Sequence, residues 1–112
     1  MTCFAGDADV PADVASVRRW QSLGISRIAL LGRDDNWWAP AGDTGPCGPD
    51  TEIFTWIGDE PPHGFDPADR RWVEIWNDVF MEYSALPPTC AAVAVHRIGL
   101  SERPSRSRAR PG

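Results

Sequence analysis

Lysine is absent from this sequence of 112 residues, and all eleven basic side chains are arginine. That absence fits a GC-rich coding sequence and says little about function. Long apolar runs are also missing: the longest is a handful of residues, against the roughly 20 that a spanning helix needs. No basic segment leads into an apolar one near Met1, so no secretory signal is visible. Cysteine is scarce, and Cys3, Cys47 and Cys90 are odd in number with no close pair. This argues against a disulfide framework and for a reduced, cytoplasmic setting. Zinc is disfavoured too, because neither the cysteines nor His63 and His96 offer a ligand pair at finger spacing. Dithiol exchange around Cys47 is excluded, since the position for a second thiol in Cys47-Gly48-Pro49-Asp50 holds a carboxylate.

What is present describes one globular domain or a piece of a larger one. With 42% hydrophobic and 24% charged residues the composition is neither disordered nor membranous. The net charge of −5 hides a split. Residues 1–96 carry 15 acidic side chains against 6 arginines, whereas residues 97–112 carry 5 arginines against Glu102. An acidic body is a poor phosphate-tracking surface. The basic tail reads either as an RNA-binding arm or as a disordered end, and Pro104, Ser105, Ser107 and Pro111 favour the second.

Along the chain, residues 1–5 suggest a strand. Asp9 as N-cap, Pro11 in the first turn and Gly24 as the stop predict a helix with a stripe of Val10, Val14, Val17, Trp20 and Leu23. Residues 27–31 read as a short buried strand. Residues 32–49 hold four glycines and three prolines around Trp37 and Trp38, an irregular loop whose aromatics either cap the core or line a site. Residues 51–57 alternate as a strand, and 58–67 form a turn-rich connection. Residues 71–83 fit a helix or a strand by periodicity. The strand puts Asn77 on one face with Val73, Ile75, Val79, Met81 and Tyr83, and a buried carboxamide there needs partners from a bound ligand or from a neighbouring loop. Beyond Ala85 only residues 90–95 have strand character.

Three of these stretches stand together: Asp35-Asn36-Trp37-Trp38; Gly42-Asp43-Thr44-Gly45-Pro46-Cys47-Gly48-Pro49 running into Thr51-Glu52-Ile53-Phe54; and Val73-Glu74-Ile75-Trp76-Asn77-Asp78-Val79-Phe80-Met81-Glu82-Tyr83. In order and spacing they resemble the alanyl-tRNA synthetase family, whose pattern is close to DNFW, GDTGPCGPCSEI and VEIWNLVFMQY. The resemblance covers residues 1–84 and implies an α+β fold, part of a class II catalytic domain with an antiparallel sheet and flanking helices. It implies activation of alanine with ATP and Mg2+, followed by transfer to tRNA(Ala). It carries substrate-binding roles to Trp38 as a wall of the alanine pocket, to Asn77 within it and to Val79 beside it, and it selects the strand for residues 71–83.

The departures from the pattern are also informative. Asp50 replaces the family's second cysteine and Trp37 its phenylalanine, both at tolerant-looking places. The family motif bearing an ATP-gripping arginine lies upstream of Met1. Where VDTGMGLER should follow, with an ammonium-binding aspartate and a second such arginine, the chain reads Val95-His96-Arg97-Ile98-Gly99-Leu100-Ser101-Glu102-Arg103. Codons for His96-Arg97-Ile98-Gly99 read one base later can give Thr-Gly-Leu-Gly, so residues 85–112 are expected to be a frameshifted or disordered tail. The whole is expected to be a catalytic-domain fragment inactive by itself, with no catalytic residue of its own. The alternatives are a non-catalytic amino-acid-binding module and a gene remnant.

Overall fold

The computed structural model describes residues 1–39, 42, 44–85 and the backbone of 95–97. Its spine is one long strand, β4 (Gly45–Trp56). Around it, in chain order, stand β1 (Thr2–Phe4), α1 (Val14–Ser22), β2 (Ala29–Leu31), the helical turn α2 (Arg33–Asn36), β3 (Trp37–Trp38), β5 (Trp72–Val79), β6 (Tyr83–Ala85) and β7 (Val95–Arg97). The α+β class expected from sequence is thus observed. The sheet is mixed, however: β1 and β2 run parallel, joined through α1, and every other pair is antiparallel.

β4 changes neighbours along its length. One edge meets β3 at Pro49 and Gly48 and β1 at Thr51 and Glu52. The other meets β6 at residues 45–47 and β5 at residues 50–56. Proline is usually excluded from central strands because it cannot donate to the ladder. Pro46 and Pro49 are accommodated where β4 hands over between partners, and the Pro49 carbonyl still accepts from Phe80 N at 2.9 Å. The hand-over explains Gly48. A Cβ there would lie 1.7 Å from the Phe80 carbonyl oxygen, so only glycine lets the chain after β5 cross so closely.

The helix begins later than its sequence suggested. Asp13, not Asp9, is the N-cap, its carboxylate accepting from Ser16 N at 3.1 Å. Asp7 instead accepts from the amides of Asp9 and Val10, each at 2.9 Å, and holds that stretch in a turn. Val10 is buried in the core ahead of the helix, while Val14 and Leu23 face solvent. The stop is as expected: Gly24 has φ 82°, and Ile25 N reaches back to Trp20 O at 3.0 Å. β2 forms where predicted but is half exposed rather than buried.

Residues 32–49 are more regular than their composition implied. Asp34, Asp35 and Asn36 belong to α2, Trp37 and Trp38 to β3, and residues 45–49 are the first half of β4. The core lies at this end, built from Phe4, Val10, Cys47, Tyr83 and Ala85 with Trp37 packed against it. Trp37 stands 5.4 Å from Phe4 and 5.6 Å from Tyr83, ring centre to ring centre, with the Arg33 guanidinium over its ring at 4.4 Å. At the far end of the β4–β5 hairpin, Trp56, Phe65 and Trp72 pack together around a cavity of about 320 Å³, remote from Asn77.

Residues 71–83 form strands, interrupted at 80–82. Cys90 and most of the expected tail lie outside the described residues, as does the strand expected at 90–95 except for Val95, where β7 begins. Among the described residues no helix is long and apolar enough to cross a membrane.

Candidate functional site

The β4–β5 register decides which residues share a face. Asp50 pairs with Val79, Glu52 with Asn77, and Ile53 with Trp76; the register then shifts, so that Phe54 pairs with Glu74. The shift leaves Ile75 as an extra residue, a β-bulge, and it reverses the alternation on one side of it. Asp50, Glu52, Asn77, Val79 and Glu74 therefore occupy one face. Val73 lies on the other, with Thr51, Trp76 and Asp78. This corrects the simple alternation that grouped Val73 and Ile75 with Asn77. The face around Asn77 is polar and acidic rather than apolar.

Trp38 pairs with Gly48, two residues before Asp50 on the same alternation, and is 39% exposed. The structure pairs Trp38 with Gly48, and Asn77 and Val79 with Glu52 and Asp50, along the same strand β4. The two tryptophans divide the roles weighed for them: Trp37 caps the core, and Trp38 borders this face. Asn77 is not a buried carboxamide but an exposed one, and the buried one is Asn36.

Asn36 is fully buried and donates from Nδ2 to Thr2 Oγ1 at 2.8 Å, Asp50 Oδ1 at 3.0 Å and Asp50 O at 3.2 Å. Its Oδ1 has no partner. The α2 turn that carries it is tied down by Asn36 N bonding Gly32 O at 2.9 Å and by the ion pair of Arg33 with Asp7. That pairing holds the Asp7 carboxyl down to about 2.

The electrostatics are those of crowded carboxyls. Burial pushes Asp50 above the usual carboxylate range, opposed by hydrogen bonds from Asn36 and Asn77 and reinforced by the charge of Glu74. Glu52 is pushed up to about 7, first by burial and then by Glu74, with Asp50 and Asp35 adding to the shift. Thr2 Oγ1 donates to Glu52 Oε2 at 3.1 Å, which works against it. Such a surface favours a ligand that brings positive charge or N–H donors. Asp50, at the place where the family has a cysteine, is 3% exposed and accepts from the buried Asn36 carboxamide.

The opposite face is covered by α1. Trp20 Nε1 donates to Thr51 Oγ1 at 2.8 Å, and Thr51 Oγ1 donates in turn to Thr2 O at 2.6 Å. Asn36, Asp50 and Glu52 are the functional candidates that sequence reasoning missed. All three stand inside quoted motifs, but only the register shows that they converge.

Among the described residues no group of three or more His, Cys, Asp and Glu side chains could hold a metal ion.

Comparison with known proteins gives a consistent result. An alanine–tRNA ligase of Treponema denticola is 52% identical over 88 residues, covering 73% of this chain and 14% of the relative. That of Treponema pallidum is 52% identical over 89 residues, covering 74% and 14%, and that of Chloroflexus aurantiacus 47% over 88 residues, covering 73% and 10%. The chain spans about a seventh of the length of the first two. No protein-family model matches it.

Proposed function

Since this chain is a stretch of the alanine–tRNA ligase family, we propose that it supplies the amino-acid-recognising wall of a class II ligase catalytic domain. In that reading the intact ligase joins alanine to ATP as alanyl-adenylate and then passes the alanyl group to tRNA(Ala). The share of the work done here is recognition. Trp38 borders the alanine pocket, Asn77 offers its carboxamide and Val79 packs beside it, while ATP and Mg2+ are held by other parts of the enzyme. Residues 1–84 act as part of that catalytic domain, and residues 85–112 as a divergent tail from which Val95–Arg97 pairs back onto β6. Adenylate formation needs preorganised charge at the reacting phosphate, and an acidic face does not provide it, so the 112-residue chain binds without catalysing. A cytoplasmic location follows from the same reading.

The observation that carries the proposal is the register that aligns Asn77 with Glu52 and Val79 with Asp50, on the face bordered by Trp38. Tryptophan fluorescence of the whole chain tests it. Alanine is expected to change the emission, Trp38→Ala to abolish the change, and Trp76→Ala, on the opposite face, to leave it. No response in the unaltered chain, or an equal response in Trp38→Ala, overturns the assignment. ATP–pyrophosphate exchange with alanine is expected to be absent, and robust exchange would show that the chain catalyses unaided.

A further inference from the structure

The far end of the β4–β5 hairpin is built unlike the core. Phe4 and Val10 in the core are closed to solvent. Trp56, Phe65 and Trp72 pack on one another, with ring centres 5.2 Å apart for the two indoles and 5.0 Å for Phe65 and Trp72, yet all three stay half-buried. With the turn at residues 60–66 they line the cavity of about 320 Å³, at the lower end of the size range of small-molecule pockets. Trp56 pairs with Trp72 beyond the bulge at Ile75, so this cavity is separate from the face around Asn77.

Three carboxylates line the cavity, Glu60, Asp66 and Asp69, against one guanidinium, that of Arg71. Asp69 and Arg71 neutralise each other through two hydrogen bonds, Nε to Oδ1 at 3.0 Å and an NH2 nitrogen to Oδ2 at 2.7 Å. Among the described residues no cation pairs with Glu60 or Asp66. The indoles here already attract cations. The Arg71 guanidinium stands 4.8 Å from the Trp56 ring centre and that of Arg27 6.0 Å from the Trp72 ring centre, and the cavity remains open beside them.

The polar atoms of the wall are mostly committed. Trp56 Nε1 donates to Glu60 O at 2.6 Å, Asp66 Oδ1 accepts from Ala68 N at 2.9 Å, and both Asp69 oxygens are held by Arg71. A guanidinium would bring five N–H donors and a primary ammonium three, and each donor left unmet inside a cavity costs free energy. A quaternary ammonium brings none. It spreads its charge over methyl groups, which suit indole and phenyl faces and need only a surplus of negative charge nearby.

We propose that Trp56, Phe65 and Trp72, with Glu60 and Asp66, form a binding site for a small soluble quaternary ammonium ion, a trimethylammonium group on a short chain. The site shares no residue with the alanine pocket and stands or falls apart from that reading.

Choline is the probe, titrated into the whole 112-residue chain at constant ionic strength. The readout is NMR of the 15N-labelled indole N–H groups, with Trp56→Phe and Trp72→Phe to assign those two signals. Both are expected to move along a saturating curve, while the signal of Trp20, bonded to Thr51 under α1, stays in place and reports that the chain is folded. The neutral analogue with carbon in place of nitrogen has the same shape and is expected to bind about tenfold more weakly. Glu60→Gln alters an exposed side chain and is expected to weaken choline about threefold and leave the neutral analogue unchanged. Trp56 and Trp72 signals that ignore choline overturn the proposal, and so does equal binding of choline and its neutral analogue, or of choline by the unaltered chain and Glu60→Gln. Methylammonium binding more tightly than choline overturns it as well. Sedimentation of the chain with phosphatidylcholine vesicles is expected to be absent, and its presence would replace the small soluble ligand with a lipid headgroup.

Discussion

The two faces of the β4–β5 hairpin are made from adjacent residues and are satisfied in different ways. On the face under α1, Thr51 is buried and its hydroxyl is fully engaged, Trp20 donating to it and the hydroxyl donating to Thr2 O, while Asp13 Oδ2 at the start of α1 has no partner. On the other, Asp50 and Glu52 lie among further carboxyls, Asn36 keeps an orphan oxygen, and Asn77 stands exposed. Each side keeps one buried oxygen without a partner, Asp13 Oδ2 at α1 and Asn36 Oδ1 at α2, and what sets them apart is the crowding of carboxyls around Asp50 and Glu52. Natural structures pair buried polar groups almost without exception. The crowded carboxyls are the demand that the proposed ligand would meet.

The comparison can be broken most severely at the residue both faces share. Gly48→Ala drives a methyl group into the Phe80 carbonyl, and its expected cost is about 3 kcal/mol or more, read as a collapse of the urea midpoint. Asn36→Ala acts on the acidic face alone. It strands Asp50 without its buried donor, for an expected loss of about 2 kcal/mol together with a weaker alanine response. Trp20→Phe is the counterpart on the helix face: losing the bond to Thr51 should cost about 1 kcal/mol and leave the alanine response intact.

The smallest effect is a pH slope, because solvent partly screens the half-buried Glu52. Its folded-state value of about 7 lies above the ordinary 4.5. The stability it contributes is whole below pH 4.5 and is lost as pH rises through about 7. Asp7 works in the opposite window: held down to about 2, it contributes above 3.8 and fades as pH falls towards 2. Urea unfolding is expected to be hardest near about pH 4, and Glu52→Gln should remove the decline on the alkaline side.

Much of the architecture was legible because its signals are local. The Gly24 stop, the strand at Ala29–Leu31 and the alternation after Thr51 each follow from a few neighbouring residues. What stayed hidden depends on distant pairing. Asp9 has the chemistry of an N-cap, but the Asp7 side chain claims its amide, and the helix waits for Asp13. Prolines at 46 and 49 read as loop until β6, β3 and the Phe80 crossing supply partners. The site divides in the same way. Trp38, Asn77 and Val79 were reached through motifs. Asp50, Glu52 and Asn36 needed the long-range pairing of β4 with β5 and the reach of α2 onto β4, and Glu74 needed the bulge at Ile75, which no periodicity announces because it is the place where periodicity fails.

β4 also sets the order in which the molecule can assemble. Its pairing with β5 closes through a short connection, whereas Thr2 must find Glu52 across half the chain. Near contacts close first and remote ones wait for loop entropy to be overcome. The hairpin bearing Asn77 and Asp50 therefore forms early, and the amino-terminal strand that steadies Glu52 arrives late. β1 thus precedes β4 and β5 in the chain and follows them in docking.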